Sequence, residues 1–227
     1  ITIAWVRVLV IGVVGRLVQA RLHSVFAKYS RVTFAGGLTG REVAEKMLRA
    51  HGIHAVQVVS TKGHLTDNYN PSKKTITLGE SVYSSNSVAA AAVAAHETGH
   101  AIQHAREYAP LKMRSALVPV ISFSSMWSTW VIILGVILMS TTGSLIVFWI
   151  GIGLVAVSAL FSLVTLPVEF NASSRALQWL RGSNTLTPEE MEGAQVSLKW
   201  AAMTYVVAAL SAIAVLLYYL SFARSRN

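Results

Sequence analysis

The chain has 227 residues, of which 53% are hydrophobic and only 13% are charged, and it contains no cysteine. A composition this apolar is unusual for a soluble domain, so membrane insertion is the first expectation. The lack of cysteine excludes disulfides, thiolate metal ligands and a cysteine nucleophile. The formal charge is +9, but the basic residues are scattered singly and are not grouped with aromatic side chains, so nucleic-acid binding is not expected.

Four segments are long and apolar enough to cross about 30 Å of hydrocarbon as helices, which takes about 20 residues. They cover residues 1–20, 116–139, 144–166 and 200–222. The first is the weakest because Arg7 and Arg16 interrupt it, and an amphipathic helix lying on the membrane is its alternative. The two arginines also leave open a small transporter or channel, but the second and third segments offer little beyond Ser and Thr to line a pathway.

Two polar regions, residues 21–115 and 167–199, lie between these segments and hold twelve and three of the nineteen basic residues. Lys and Arg collect on the cytoplasmic side of membrane proteins, so both regions are predicted to be cytoplasmic and both termini to lie outside. The two regions can then meet on one membrane face. We therefore expect one membrane-embedded domain over residues 1–227, multi-pass in the cell (inner) membrane.

Local signals predict helices and strands in the first polar region. Thr39 and Glu42 in "TGRE" form a capping-box pattern, which opens a helix that Gly52 closes. The stretches "HAVQVVS" and "KTITLGE" predict two strands of a hairpin, separated by the turn-rich "TDNYNPSKK". Asn86 or Ser87 can then cap a helix that runs through "VAAAAVAAHETGHAIQHA".

The last of these helices carries the motif His-Glu-x-x-His at His96, Glu97 and His100. Residues four apart lie on the same side of a helix, so the two imidazoles can converge on one zinc ion. Glu97 points about 100° around the helix axis from His96. There it can act as the general base that takes a proton from zinc-bound water. A polar helix face solvated at the membrane surface is the alternative interpretation.

His104 continues the four-residue spacing, but it is not predicted to be a ligand. A catalytic zinc ion usually has three protein ligands with bonds of about 2 Å. The helical rise of about 1.5 Å per residue separates His104 from His96 by about 12 Å along the axis. The longer His-Glu-x-x-His-x-x-Gly-x-x-His signature also fails, because Gln103 and Arg106 occupy its last two positions. We expect His104 to contact the ligands or to have a structural role.

The third ligand is predicted from the second polar region. Glu169 is the only carboxylate between Glu107 and Glu189. Pro167 is predicted to end the third span and begin a new helix, which places Glu169 in the first turn of that helix at the membrane face. A carboxylate favoured only by the dipole of the helix N-terminus is the alternative.

The stretch "GHLTDNYNP" adds a candidate substrate contact near the predicted hairpin. His64 could donate to the oxyanion of a peptide intermediate, and a strand edge there could pair with an extended peptide. The alternative is that Asp67 and Asn70 simply cap a tight loop.

Five blocks in order, "GLTG", "GHLTDNYNP", "AAHETGHAIQH", "YAPLKMRSALVPV" and "LPVEFNASSRAL", resemble the YugP-type neutral zinc metallopeptidases of bacterial membranes. The arrangement is more remotely similar to membrane-embedded gluzincins of the HtpX and Ste24 kind, in which two spans separate the motif helix from a glutamate ligand. The resemblance covers nearly the full chain. It implies one catalytic Zn²⁺ on His96, His100 and Glu169, with Glu97 as the general base and peptide hydrolysis on the cytoplasmic side.

The chain departs from these patterns at two positions. Asn171 stands where YugP-like sequences commonly have Asp, and Ser173 stands where the remoter gluzincins have an acid. An amide at position 171 can still accept a hydrogen bond from an imidazole, but it lacks the negative charge that makes a ligand more basic. A lower zinc affinity or rate is the expected consequence.

We predict a mainly α-helical integral membrane protein with about four transmembrane helices and a small cytoplasmic α+β zincin-like catalytic portion. Its predicted function is zinc-dependent endopeptidase activity on a peptide or protein substrate, membrane-associated substrates included, by Glu97-assisted attack of zinc-bound water. No other cofactor is expected. The alternative is a catalytically weak or inactive zinc-binding membrane scaffold or regulator, for which Asn171 is the best support.

Overall fold

The computed structural model of the chain describes residues 2–63 and 66–224, with side chains described from residue 9 onward. Ten elements follow one another along these residues. In chain order they are α1 (Thr2–Tyr29), α2 (Gly40–Ala50), β1 (Gln57–Thr61), β2 (Asn68–Asn70), β3 (Thr75–Gly79), α3 (Glu80–Tyr83), α4 (Val88–Ala105), α5 (Ala109–Thr142), α6 (Ile146–Gly182) and α7 (Pro188–Arg224). The prediction of a mainly helical protein with a small sheet is confirmed.

Helices α1, α5, α6 and α7 are long and apolar enough to cross a membrane. The predicted number of about four candidate spans is therefore confirmed, although the first covers Leu9–Tyr29 and not residues 1–20. Helices α5, α6 and α7 contain 34, 37 and 37 residues, well beyond the roughly 20 that hydrocarbon requires. Each of them therefore continues from its apolar segment into a predicted polar region.

The chain divides into two compact units. The first consists of Ile1–Leu17, Lys112–Leu166 and Thr204–Asn227, which are the parts of the chain that contain most of the apolar segments. The second consists of Val18–Leu111 and Pro167–Met203, so it gathers most of both predicted polar regions into one body. The histidines and carboxylates of the predicted zinc site all belong to the second unit.

Helices α2 and α4 pack together in the second unit, and both begin where the sequence predicts. The Thr39 hydroxyl oxygen accepts from the Glu42 backbone N–H at 3.3 Å, and the Glu42 carboxylate accepts from the Thr39 N–H at 2.8 Å. Gly52 follows α2 with a φ of +70°, a conformation that glycine adopts without strain. Ser87 caps α4, since its hydroxyl oxygen accepts from the Ala90 N–H.

The sheet has a different topology from the predicted hairpin. Strand β3 is central and pairs in parallel with β1 and antiparallel with β2. The predicted β1–β3 hairpin is therefore wrong. Strand β2 lies between β1 and β3 in the sequence and is the antiparallel neighbour of β3 that β1 was predicted to be. The central position also lets β3 bury Ile76 and Leu78 completely.

Helix α6 continues through Pro167, so the prediction that a new helix begins at this residue is wrong. A proline inside a helix removes one hydrogen bond and costs about 3 kcal/mol or more. The residues that follow it offset this cost by burial, since Val168, Ala172 and Ala176 are completely buried. Glu169 therefore lies inside a long helix, and a helix N-terminal dipole does not account for its position.

Candidate metal centre

His96 and His100 on α4 and Glu169 on α6 bring their ligand atoms together. The Oε2 atom of Glu169 lies 3.2 Å from the Nε2 atom of His96 and 3.5 Å from the Nε2 atom of His100. Candidate ligand atoms of the three residues all lie within 4.8 Å of one another. Two ligand atoms at tetrahedral positions about 2.0–2.1 Å from a zinc ion are separated by about 3.3 Å. The spacing and the nitrogen and oxygen donors therefore fit one zinc ion.

A close contact between two helices sets this geometry. A Cβ atom added to Gly99 on α4 would lie 2.6 Å from the carbonyl oxygen of Ala172 on α6. Only a glycine allows the two backbones to approach so closely. Gly99 immediately precedes His100, and Ala172 lies three residues after Glu169. The contact therefore draws the carboxylate toward the imidazoles.

We expect the Gly99→Ala substitution to weaken zinc binding about tenfold or more, within the range seen when the surroundings of metal ligands are disturbed. The new methyl group must push α6 away from α4 and move Glu169 relative to His100. Overpacking of this kind also costs about 1–3 kcal/mol of stability. Zinc titration against a competing chelator and thermal unfolding would measure both effects.

Gly153→Ala is the matched control for this substitution. Gly153 lies in the interior of α6, as Gly99 lies in the interior of α4, but a Cβ atom added to Gly153 meets nothing within 4 Å. Alanine at such a helix-interior site stabilises by about 0.5–1 kcal/mol relative to glycine. Equal zinc affinities in the Gly99→Ala and Gly153→Ala variants would contradict the proposed role of the close contact.

Each imidazole has a partner for its Nδ1 atom on the side away from Glu169. The Nδ1 atom of His96 lies 3.0 Å from the Ser173 hydroxyl oxygen, and the Nδ1 atom of His100 lies 3.0 Å from Oε1 of Gln103. The two rings are nearly perpendicular, with an interplanar angle of 85°. Both Nε2 atoms are thus left to face Glu169, as metal ligation requires.

Glu97 lies beside the two histidines but is not part of the ligand cluster. It is only 9% exposed. Burial raises the pKa of Glu97, while the imidazoles of His100 and His96 lower it in part. A raised pKa makes a carboxylate a better proton acceptor, which suits general-base chemistry.

Three further residues, Asn171, His104 and His64, were predicted to lie near the site or to contact substrate. Asn171 does not accept a hydrogen bond from an imidazole in the described residues; its Oδ1 atom accepts from Gln103 and Arg175. The Nδ1 atom of His104 lies 2.7 Å from the Tyr69 hydroxyl oxygen, and the ligand cluster does not include His104. His64 lies outside the described residues.

Comparison with known proteins shows the family. A family model described as "Putative neutral zinc metallopeptidase" matches residues 4–224. The chain belongs to this zinc metallopeptidase family. It is 40% identical over 201 residues to "Putative membrane protease YugP" of Bacillus subtilis (strain 168), with 88% of each chain covered. No solved structure matches the chain. The resemblance carried by the five sequence blocks is therefore confirmed.

Two residues of this chain that contact the imidazoles were not predicted to do so. In the sequence, Ser173 is a departure from an acidic pattern, and Gln103 is a mismatch to a longer zinc signature. A signal was present for Gln103, which lies three residues after His100 and therefore on the same helix face. Ser173 had no such signal, because its contact with His96 depends on how α4 and α6 pack.

Proposed function

We propose that this chain hydrolyses peptide bonds at a single zinc site formed by His96, His100 and Glu169. The convergence of the three ligand atoms is the observation that carries the proposal. Glu169 is 73 residues from His96 in the sequence, yet its carboxylate lies 3.2 Å from that imidazole. Glu169 is 2% exposed and His100 is 7% exposed, and burying such polar groups is costly unless they bind a partner.

The mechanism assigns a distinct task to each residue. A bound zinc ion would supply the positive charge that polarises the scissile carbonyl group and acidifies a water molecule. The Nε2 atoms of His96 and His100 and the Glu169 carboxylate would hold this ion. The Glu97 carboxylate accepts a proton from the attacking water and then donates it to the nitrogen of the leaving amine.

We further propose an integral, multi-pass protein of the cell membrane that is one catalytic domain over residues 1–227, with its site facing the cytoplasm. The bias of basic residues toward the two polar regions supports this orientation. The Bacillus subtilis relative is described as a putative membrane protease. A peptide or protein substrate, membrane-associated or not, follows from the proposed activity. His64 and His104 stay predicted contacts of substrate or ligands.

Removing the metal tests the proposal directly. We expect the purified full chain in detergent to cleave a dye-labelled unfolded protein and to lose this activity completely after dialysis against a chelator. One equivalent of Zn²⁺ should restore the rate. Mg²⁺ should not, because it requires octahedral oxygen ligands. Fluorescence release and measured zinc content would follow both steps.

Two outcomes would contradict the proposal. Cleavage that persists in the metal-free protein would exclude a zinc-dependent reaction. A protein that holds one zinc ion but cleaves neither the unfolded protein nor a membrane-inserted peptide would favour the zinc-binding scaffold.

A further inference from the structure

Gln103 is a completely buried amide that joins the zinc site to a second set of polar residues. Its Oε1 atom lies 3.0 Å from Nδ1 of His100. Its Nε2 atom donates to the main-chain carbonyl of Val168 at 2.8 Å and to Oδ1 of Asn171 at 3.0 Å. Arg175 completes the set, since its Nε atom donates to the same Asn171 oxygen at 2.8 Å.

The donors and acceptors of this set can be arranged in only one way. A guanidinium group has no acceptor, so the atom that Asn171 presents to Arg175 must be its carbonyl oxygen. That oxygen also faces Gln103, which must therefore present its NH₂ group. The carbonyl of Val168 is a second fixed acceptor beside the same NH₂ group, so it independently requires the same orientation.

In a neutral ring, the orientation of Gln103 decides which nitrogen of His100 carries the proton. With its NH₂ group turned toward Asn171, Gln103 has only its carbonyl oxygen to offer His100. Nδ1 of His100 must then be the N–H donor, and the lone pair of the neutral ring lies on Nε2. Nε2 is the nitrogen that lies 3.5 Å from Oε2 of Glu169.

The Nδ1 atom of His96 lacks an equivalent constraint. It meets the Ser173 hydroxyl group, which can either donate or accept a hydrogen bond. Ser173 is therefore compatible with both neutral forms of the His96 ring, whereas Gln103 is compatible with only one neutral form of the His100 ring.

We propose that Gln103 is a positioning residue that holds His100 in the Nδ1-protonated form before metal binds, and that Asn171 and Arg175 fix the orientation of its amide. The proposal rests on the proposed function only in taking His100 as a zinc ligand. If the His100 ring already carries its proton on Nδ1, no free energy is needed to move the proton when zinc binds. Residues that hydrogen-bond to a metal-ligating histidine typically contribute about 10- to 100-fold to metal affinity.

The first test uses the unaltered full chain. In protein labelled with ¹⁵N-histidine, the ring nitrogen shifts of zinc-free, neutral His100 report which nitrogen is protonated, and a His100→Asn sample assigns the signals. We expect the Nδ1–H form. Finding the Nε2–H form in the unaltered chain would overturn the proposal without reference to any variant.

The second test compares Gln103→Met with the unaltered chain. Methionine keeps the length of the side chain but offers no carbonyl acceptor. We expect the His100 signals to shift toward the Nε2–H form, and we expect the zinc affinity, measured against a competing chelator, to fall about 10- to 100-fold. Asn171→Asp keeps an acceptor for both Gln103 and Arg175, so it should retain the Nδ1–H form.

The readouts separate this proposal from the proposed function. A chain that binds zinc with the Nδ1–H form of His100 but never hydrolyses a peptide would overturn the peptidase alone. A Gln103→Met variant that keeps the Nδ1–H form and the original zinc affinity would overturn the positioning role alone, whatever the rate of hydrolysis.

Discussion

Replacement of Glu97 by glutamine should lower the hydrolysis rate by about 100- to 10,000-fold, the usual contribution of a general acid–base group, while zinc stays bound. The amide has the shape of the carboxylate but cannot take a proton from water. Glu97 lies outside the cluster of ligand atoms, so the metal keeps its three donors. Initial rates on a dye-labelled unfolded protein, together with zinc content after dialysis, would measure the two properties in one preparation.

Glu192→Gln is the matched control for this experiment. Glu192 is exposed on α7, so the same chemical change occurs away from the proposed site and should leave the rate unchanged. A Glu97→Gln variant with the full rate of the unaltered chain would exclude Glu97 as the base.

The parts of the fold that the sequence predicted are those that local signals determine. The apolar segments, the Thr39 cap and the Gly52 helix end each depend on residues within a few positions of one another. The direction of the β1–β3 pairing depends instead on β2, which lies between them in the sequence and takes the antiparallel place beside β3. No local pattern contains that information, and the hairpin prediction failed there.

Pro167 shows the opposite case, in which a sound local rule gave the wrong answer. Proline usually stands at the start of a helix and not inside one. In α6 the free-energy cost of an interior proline is offset, because Val168 and Ala172 are buried within the second unit and stabilise the helix there. Such tertiary packing cannot be predicted from local patterns in a single sequence.

The candidate site also has a part that local signals predicted and a part that depends on tertiary packing. Helical spacing alone was enough to pair His96 with His100 and to set Glu97 beside them. The hydrogen-bond partners of the imidazoles could not be predicted, because they depend on how α4 packs on α6. This packing also gives Asn171 a different role from the predicted contact with an imidazole. Its oxygen serves as an acceptor for Gln103 and Arg175, a task that an amide performs without the charge of an aspartate.

Replacement of Glu169 by glutamine should abolish stable zinc binding and, with it, hydrolysis. The Glu169 carboxylate is the only anionic group of the three donors. Because Glu169 is only 2% exposed, water cannot replace the lost negative charge in stabilising a doubly charged ion. We expect the zinc affinity to fall by more than about 100-fold, since even partners that only orient a ligand are worth about 10- to 100-fold. Chelator competition and thermal unfolding of the metal-free protein would separate lost affinity from misfolding.

The comparison of Glu169→Gln with Glu97→Gln is sharper than either result alone. Both variants exchange one buried carboxylate for an amide of the same shape in the same unit of the chain. A ligand and a base respond differently to this exchange: the first variant should lose zinc and activity together, and the second should lose activity while it keeps zinc. If both variants retained zinc with the original affinity, Glu169 would not be the third ligand, and the 3.2 Å contact with His96 would be only a buried hydrogen bond between two helices.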